Sequence, residues 1–331
     1  PEGTTLSVGI ASENVVNRSP VSGYEEAIVQ PIVETNVSDT FATTLWVGTG
    51  SGGGATPVDI VNGIDNTGKA LIWTKDRDAG YAHFLWSTET NGWISSNVTN
   101  EINSAAQPTF NVDGVTIPTD TAGYGWSNGG DNQVAWNFKA APKFFDVQTW
   151  TGTSTGGQQI VPHDLDAQPG LVIAKSTSAD EGWFVTYRDS SVASGWGYMY
   201  LDQNYPTQGD STFCTPDADN LVLNGSTIAA VGEEYVAYLF AEDEPGLIKC
   251  GKFTDPGNNQ PITVECGFAP QWLLVKAATI AGGWKILDTT RGWSDSEEKT
   301  LNADTNAQET TSGPWHPTET GFYVDTGYYT I

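Results

Sequence analysis

A short apolar run ending in lysine returns three times along this chain, as LIWTK at Leu71–Lys75, LVIAK at Leu171–Lys175 and WLLVK at Trp272–Lys276. Other features keep step with it. An aromatic stands upstream (Trp46, Trp150, Phe253), another stands downstream after a glycine (Tyr81, Trp183, Trp284), and a Gly-Trp pair follows (Trp93, Trp196, Trp293). The first two copies close on Val-Ala-aromatic-x-Phe, at Val134–Phe138 and Val236–Phe240, whereas the third reaches Ile331 without that segment. Self-similarity at a fixed period makes each copy a structural unit that must pack with its neighbours.

The unit is made of strands. No window places apolar residues at i, i+3, i+4 and i+7 over three turns, while short runs rich in Val, Ile, Thr, Trp and Tyr are broken by Gly, Asn, Asp and Pro. The 331 residues include 37 Gly and 17 Pro but one Met, and 16% are charged. A copy of about a hundred residues is too long for a propeller blade and suits a β-sandwich. The expected fold is all-β: three tandem antiparallel β-sandwich or jelly-roll-like repeats at 43–145, 146–246 and 247–331, behind an N-terminal extension at 1–42. The alternative is one large sandwich in which the repeats share a core. The third repeat is expected either to be truncated or disordered past Ile331, or to be completed by the strand-like stretch Tyr24–Val33, in the same chain or a neighbouring subunit.

Forty acidic against 14 basic residues give a net charge of −26, which repels a phosphate backbone and argues against nucleic-acid binding. No run of 18 apolar residues exists, so no helix inserts in a membrane. Cys214, Cys250 and Cys266 are too few for a disulfide scaffold. Cys250 and Cys266 flank a loop and are expected to oppose each other across a hairpin as two buried thiols. No cofactor is expected; Asp76-Arg77-Asp78 and Asp217-Ala218-Asp219-Asn220 offer carboxylates for Ca²⁺ without the spacing of a full calcium loop.

The recurring residues look structural. Lys75, Lys175 and Lys276 each end an apolar strand and are expected to be strand-end solubilisers; the recurring aromatics and Gly-Trp pairs are expected to plug the core, the glycine permitting a positive φ. Aromatics that do not recur are the better ligand candidates: Tyr198, Tyr205 and Trp315, on which a sugar ring could stack. The turn His163-Asp164-Leu165-Asp166 holds a His/Asp pair whose expected role is turn formation, and no catalytic fingerprint occurs.

VAWNFKA at Val134–Ala140, the stretch Phe144–Ser190 and the stretch Glu234–Trp293 together resemble a repeat module of tailed-phage virion proteins. Such modules lie near the C-termini of large structural proteins of marine and cyanobacterial phages, often labelled tail fibre or appendage components. The likeness is clearest over Val134–Trp293, roughly half the chain. It implies a structural component of a fibre, spike or head appendage on the virion surface. The partners it implies are other virion proteins, further copies in a trimer or filament, and a host-surface glycan bound multivalently. It supplies no catalytic residues. The family pattern near residue 163 tends to His-Asn-Leu-Gly, and its second module usually ends on a Tyr-Ile-Tyr-Met-Ala-like strand. Here the chain stops at Tyr328-Tyr329-Thr330-Ile331. The rival expectations are a polysaccharide depolymerase with paired carboxylates and a purely architectural capsid decoration or fibre shaft.

Overall fold

The computed structural model describes residues 4–11, 35–50, 54–255, 260–311 and 313–325. Strand β1 (Thr4–Ala11) and a one-turn helix, α1 (Val37–Thr40), come first. The first repeat holds β2 (Phe41–Val47), β3 (Val58–Val61), β4 (Ala70–Asp76), β5 (Phe84–Ser87), β6 (Trp93–Ile94), β7 (Thr109–Asn111), β8 (Gly114–Ile117) and β9 (Asn132–Lys139). The second holds β10 (Phe145–Thr151), β11 (Gln158–Pro162), β12 (Pro169–Ser176), β13 (Phe184–Arg188), β14 (Trp196–Tyr200), β15 (Gly209–Asp210), β16 (Asn220–Asn224) and β17 (Glu234–Ala241). The third holds β18 (Asp243–Glu244), β19 (Ile248–Thr254), β20 (Ile262–Glu265), β21 (Pro270–Ala277), β22 (Lys285–Asp288), β23 (Lys299–Asn302), β24 (Thr310–Thr311), β25 (Trp315–Pro317) and β26 (Gly321–Val324).

Three large antiparallel sheets repeat one order. They run β2-β9-β4-β5-β6, β10-β17-β12-β13-β14-β15 and β18-β19-β1-β21-β22-β23-β24. Each repeat adds a small outer sheet, β3-β8-β7, β11-β16 or β20-β26-β25. The closing strands β9 and β17 sit between β2 and β4 and between β10 and β12, and in the third repeat β1 takes the corresponding place between β19 and β21. The registers agree residue for residue. Phe138 lies opposite Phe41 and Leu71, Phe240 opposite Phe145 and Leu171, and Ile10 opposite Ile248 and Trp272. At the far end Val134, Val236 and Leu6 stand opposite the three recurring lysines.

Among the described residues the closing position of the third repeat is filled from within the chain by Thr4–Ala11, a segment that neither expectation named; Tyr24–Val33 lies outside the described residues. Without β1, two strand edges would meet across an empty slot with their backbone groups unpaired.

The apolar runs are continuous because both faces of each large sheet are covered. In β4, Leu71 and Trp73 enter a core that also holds Phe145, Phe240 and Trp272, while Ile72 packs with Val115, Ile117 and Trp126 under the small sheet. In β21, Trp272 and Leu274 face that same shared core, while Leu273 and Val275 pack with Trp315 and Phe322. Rings from all three repeats meet there: the Phe138 centroid is 5.6 Å from Phe240 and 5.4 Å from Trp272. The alternative of a shared core thus describes the inner faces, and the sandwich describes each repeat outward.

The repeats are joined by seams of one design. Trp183 Nε1 donates to Ser95 O of the first repeat at 2.9 Å, and Trp284 Nε1 donates to Tyr200 O of the second at 2.7 Å. His83 closes the circle, its Nε2 lying 3.0 Å from Asn302 O of the third. A second set runs the other way round: Ile102 N to Thr177 O, Thr207 N to Ala278 O and Glu309 N to Arg77 O. The counterpart of Trp183 and Trp284 is therefore His83, directly before β5, and not Tyr81, whose half-buried ring packs on Gly125.

The seam between the first and third repeats also carries buried charge. Glu309 receives Arg77 at 2.7 Å and Arg291 at 3.0 Å, and Arg291 lies 5.3 Å from the Trp136 ring centroid, whose indole N–H donates to Asp288 at 2.9 Å. Glu309→Gln leaves two guanidinium groups short of their shared carboxylate; the expected loss is about 3–5 kcal/mol, read as a lower urea midpoint with unchanged m-value.

His83 accepts from Trp73 Nε1 on Nδ1 at 2.9 Å, which assigns its proton to Nε2. Burial, and then the Lys75 charge, pull its pKa down to about 3. The unfolded chain protonates first, so this contribution is complete above the ordinary value near 6.5 and is lost as pH falls from there towards 3. His83→Gln should flatten the acid limb of stability across that window, by a few kcal/mol at about 1.4 kcal/mol per pH unit. Urea titrations of both proteins at stepped pH check it.

Candidate functional site

The residues that recur build the scaffold. Trp150, Trp183, Trp196, Trp284 and Trp293 are buried, and Trp46, Trp93 and Phe253 are half-buried against their repeats' clusters. The glycine of each Gly-Trp pair has the positive φ it was expected to permit: 136° at Gly92, 77° at Gly195 and 117° at Gly292. The lysines overturn their expectation. Lys75, Lys175 and Lys276 are wholly buried. Lys75 Nζ donates to Asp76 O at 2.5 Å and Ala79 O at 3.1 Å, Lys175 Nζ to Ser176 O at 2.6 Å and Ala179 O at 3.0 Å, and Lys276 Nζ to Gly282 O. Each tail caps the turn that leads to the seam residue. Desolvation draws all three pKa values down to about 8.

Of the three proposed ligand aromatics, Tyr205 lines a cleft, and Tyr198 lies outside its lining. A cleft of about 750 Å³ opens beside β13 and β14, where Thr99 of the first repeat meets the second. Phe184, Tyr200 and Tyr205 give it aromatic surface, and Gln203, Gln208, Ser226, Thr227 and Glu181 give it hydrogen-bonding groups. Tyr205 is 54% exposed. Tyr198 stands behind, edge-on to Tyr200 at 6.0 Å and to Phe213 at 5.2 Å. The loop that carries Tyr205 is pinned on both sides by the third repeat. Gly282 N donates to Asn204 O and Thr207 N to Ala278 O, each at 2.8 Å, while Pro206 fixes the backbone between them. A loop backbone held that way loses little entropy when the site binds. Burial, and then the neighbouring charge of Glu233, raise the Glu181 carboxyl above its usual range.

Trp315 is no platform. It is fully buried in β25 against Phe253 and Phe322, and its backbone N–H donates to Glu298 at 2.8 Å. Its Gly/Pro neighbours mark a tight turn into a small sheet, not exposure. Gln203 and Gln208 have a signal in the sequence, adjacency to the insert that carries Tyr205-Pro206, whereas Phe184, directly after Trp183, has none of that kind.

The remaining candidates have structural partners. His163 lies 3.1 Å from Asp217 O through Nε2, and Asp164 pairs outward with Lys69 at 2.8 Å. Asp166 adopts φ 51°, at the position where the resembled pattern has glycine. Asp76 accepts the N–H groups of Asp78 and Ala79, and Asp217 those of Asp219 and Asn220, so both stretches form Asx turns. Among the described residues no group of three His, Cys, Asp or Glu is placed to hold a metal. The hairpin expected between Cys250 and Cys266 does not form, because β19 pairs in the large sheet and β20 in the small one. Cys250 instead stands opposite Val8 and donates to Ala241 O at 3.2 Å.

The lysine environment makes a signed prediction. Folded Lys276 loses its proton near pH 8 and the unfolded side chain near 10.5, so rising pH favours the folded wild type through that window. The stability of wild type relative to Lys276→Met should therefore climb between pH 8 and 10.5 and level off above, measured by denaturant titration.

Comparison with curated proteins and with solved structures returned no match. A family described as "Domain of unknown function (DUF7483)" matches residues 36–324. That span holds all strands of the three repeats except β1. The chain belongs to the DUF7483 family.

Proposed function

We propose that this protein is a structural component of a tailed-phage virion, displayed on the particle surface, where the cleft beside β13 and β14 takes a saccharide of the host envelope. The observation that carries the binding role is Tyr205: a half-exposed ring on a loop whose backbone is held on either side by a hydrogen bond, beside amide and hydroxyl groups in one cleft. Aromatic faces receive the C–H face of a sugar and the flanking polar groups orient its hydroxyls. A net charge of −26 favours a neutral saccharide over an acidic one. The virion placement rests on the likeness of Val134–Trp293 to phage structural modules. Weak single sites gain strength through many copies on one particle.

One observation favours a second reading. Glu181 lines the cleft with a raised pKa and Glu233 near enough to act on it, which suits a general acid with a carboxylate partner.

One assay separates the two. Purified protein incubated with neutral host polysaccharide is expected to adsorb it saturably without releasing reducing ends, and Tyr205→Ala should weaken adsorption roughly five- to tenfold, a loss of about 1 kcal/mol or more. Reducing ends that disappear in Glu181→Gln support the depolymerase. Undiminished adsorption by Tyr205→Ala removes the cleft from the account. Absence of the chain from purified particles of a phage that encodes it removes the virion role.

A further inference from the structure

Three strands close the three large sheets, and one of them is tied to the fold differently. β9 and β17 run directly into the first strands of the next repeats, so neither can leave its place without drawing a repeat with it. β1 is separated from the next element by residues 12–36, a length of chain that spans at most on the order of 80 Å. It pairs antiparallel over seven positions with β19 and seven with β21. The matched family span, 36–324, contains both of those strands but not β1. A two-edged slot in the domain is thus filled by a segment outside it.

The filler is a worn copy of the closing motif. Leu6, Val8 and Ile10 fall at the register positions of Val134, Trp136 and Phe138, with Ser7 and Gly9 between. Backbone hydrogen bonds carry the pairing, and they are indifferent to which chain supplies the strand.

We propose that the slot between β19 and β21 is a strand-acceptor site that takes β1 of a second copy of this chain when copies are held close together. Copies are then linked through exchanged strands. Exchange substitutes each pairing by its equal, so contacts are neither gained nor lost. The balance is set by concentration. By its length in sequence alone, such a separation corresponds to an effective concentration of a chain's own β1 in roughly the millimolar range. Copies packed side by side on a particle reach that density, whereas dilute chains close on themselves.

Val8 and Cys250 give a topological probe. They are directly opposed register positions on antiparallel strands, a Cα separation that a disulfide can span. A Val8→Cys chain that also carries Cys266→Ser is concentrated to the millimolar range and oxidised. The expected product is a ladder of covalent dimers and larger species on a non-reducing gel, abolished by adding Cys250→Ser. Internally closed monomer as the sole cross-linked product at every concentration overturns the proposal.

Light scattering of the unmodified chain supplies an independent readout. It should detect oligomers at those concentrations that are absent from a chain lacking residues 1–11 and complemented with a free peptide of residues 1–12. Near-ultraviolet tryptophan circular dichroism verifies that the complemented chain is folded. Equal masses for the intact and complemented chains overturn the proposal whatever the thiols do.

Discussion

At each seam a ring nitrogen points from one repeat to a backbone carbonyl of its neighbour, and the third such contact returns to the first repeat through His83 and Asn302. A closed circle of this kind has no end to cap, unlike an open stack of repeats. It also leaves no repeat able to close alone. The third large sheet is continuous only with β1 between β19 and β21, so the pairing of those two edges depends on that strand. Magnitudes divide the labour. A seam hydrogen bond contributes about 1 kcal/mol net, while burying each large ring of the shared core contributes about 1.5–3 kcal/mol. Burial holds the repeats together and the seams fix their orientation.

The copies differ in sequence where they agree in volume. Where the second and third repeats pair a branched aliphatic on the strand with a Trp at the seam (Ile173 with Trp183, Leu274 with Trp284), the first carries Trp73 with His83. The bulk has moved from one position to its neighbour, and the histidine keeps the seam bond. Trp272 likewise stands where Leu71 and Leu171 stand, opposite Ile10 where the others have Phe138 and Phe240. Volume-conserving exchange within a packed layer costs little, which is why the period survives while individual letters drift.

That drift sets how much could be read in advance. The apolar runs, the all-β class and the positive-φ glycines before Trp93, Trp196 and Trp293 were legible because they depend on local backbone and on burial of both faces. Spacing from glycine aligns Tyr81 with Trp183, whereas the seam selects by what reaches the next repeat, and that is His83. The lysines looked like strand exits because a charge usually marks water; here the partners are carbonyls of the following turn, invisible to any pattern of charge. LSVGI at Leu6–Ile10 carries the closing motif's alternation without an aromatic or a phenylalanine, so only its register betrays it. Gly and Pro neighbours mark a turn equally well at a surface and over a core, so the burial of Trp315 has no signal in its local sequence.

The inserts that follow the Gly-Trp pairs are anchored alike and display different chemistry. Ile102, Thr207 and Glu309 each donate a backbone N–H to the equivalent carbonyl of the adjoining repeat, at Thr177, Ala278 and Arg77. Next to that shared anchor the first repeat has an apolar side chain and the third a carboxylate clasped by two arginines. The second has Tyr205-Pro206, with its ring in solvent. Anchors of one kind make the three loops comparably rigid, so the scaffold does not select among them. What distinguishes the second is that its side chains are not consumed by a seam. A binding function on this fold therefore belongs where the period breaks, because every residue that keeps the period is already engaged in holding the ring.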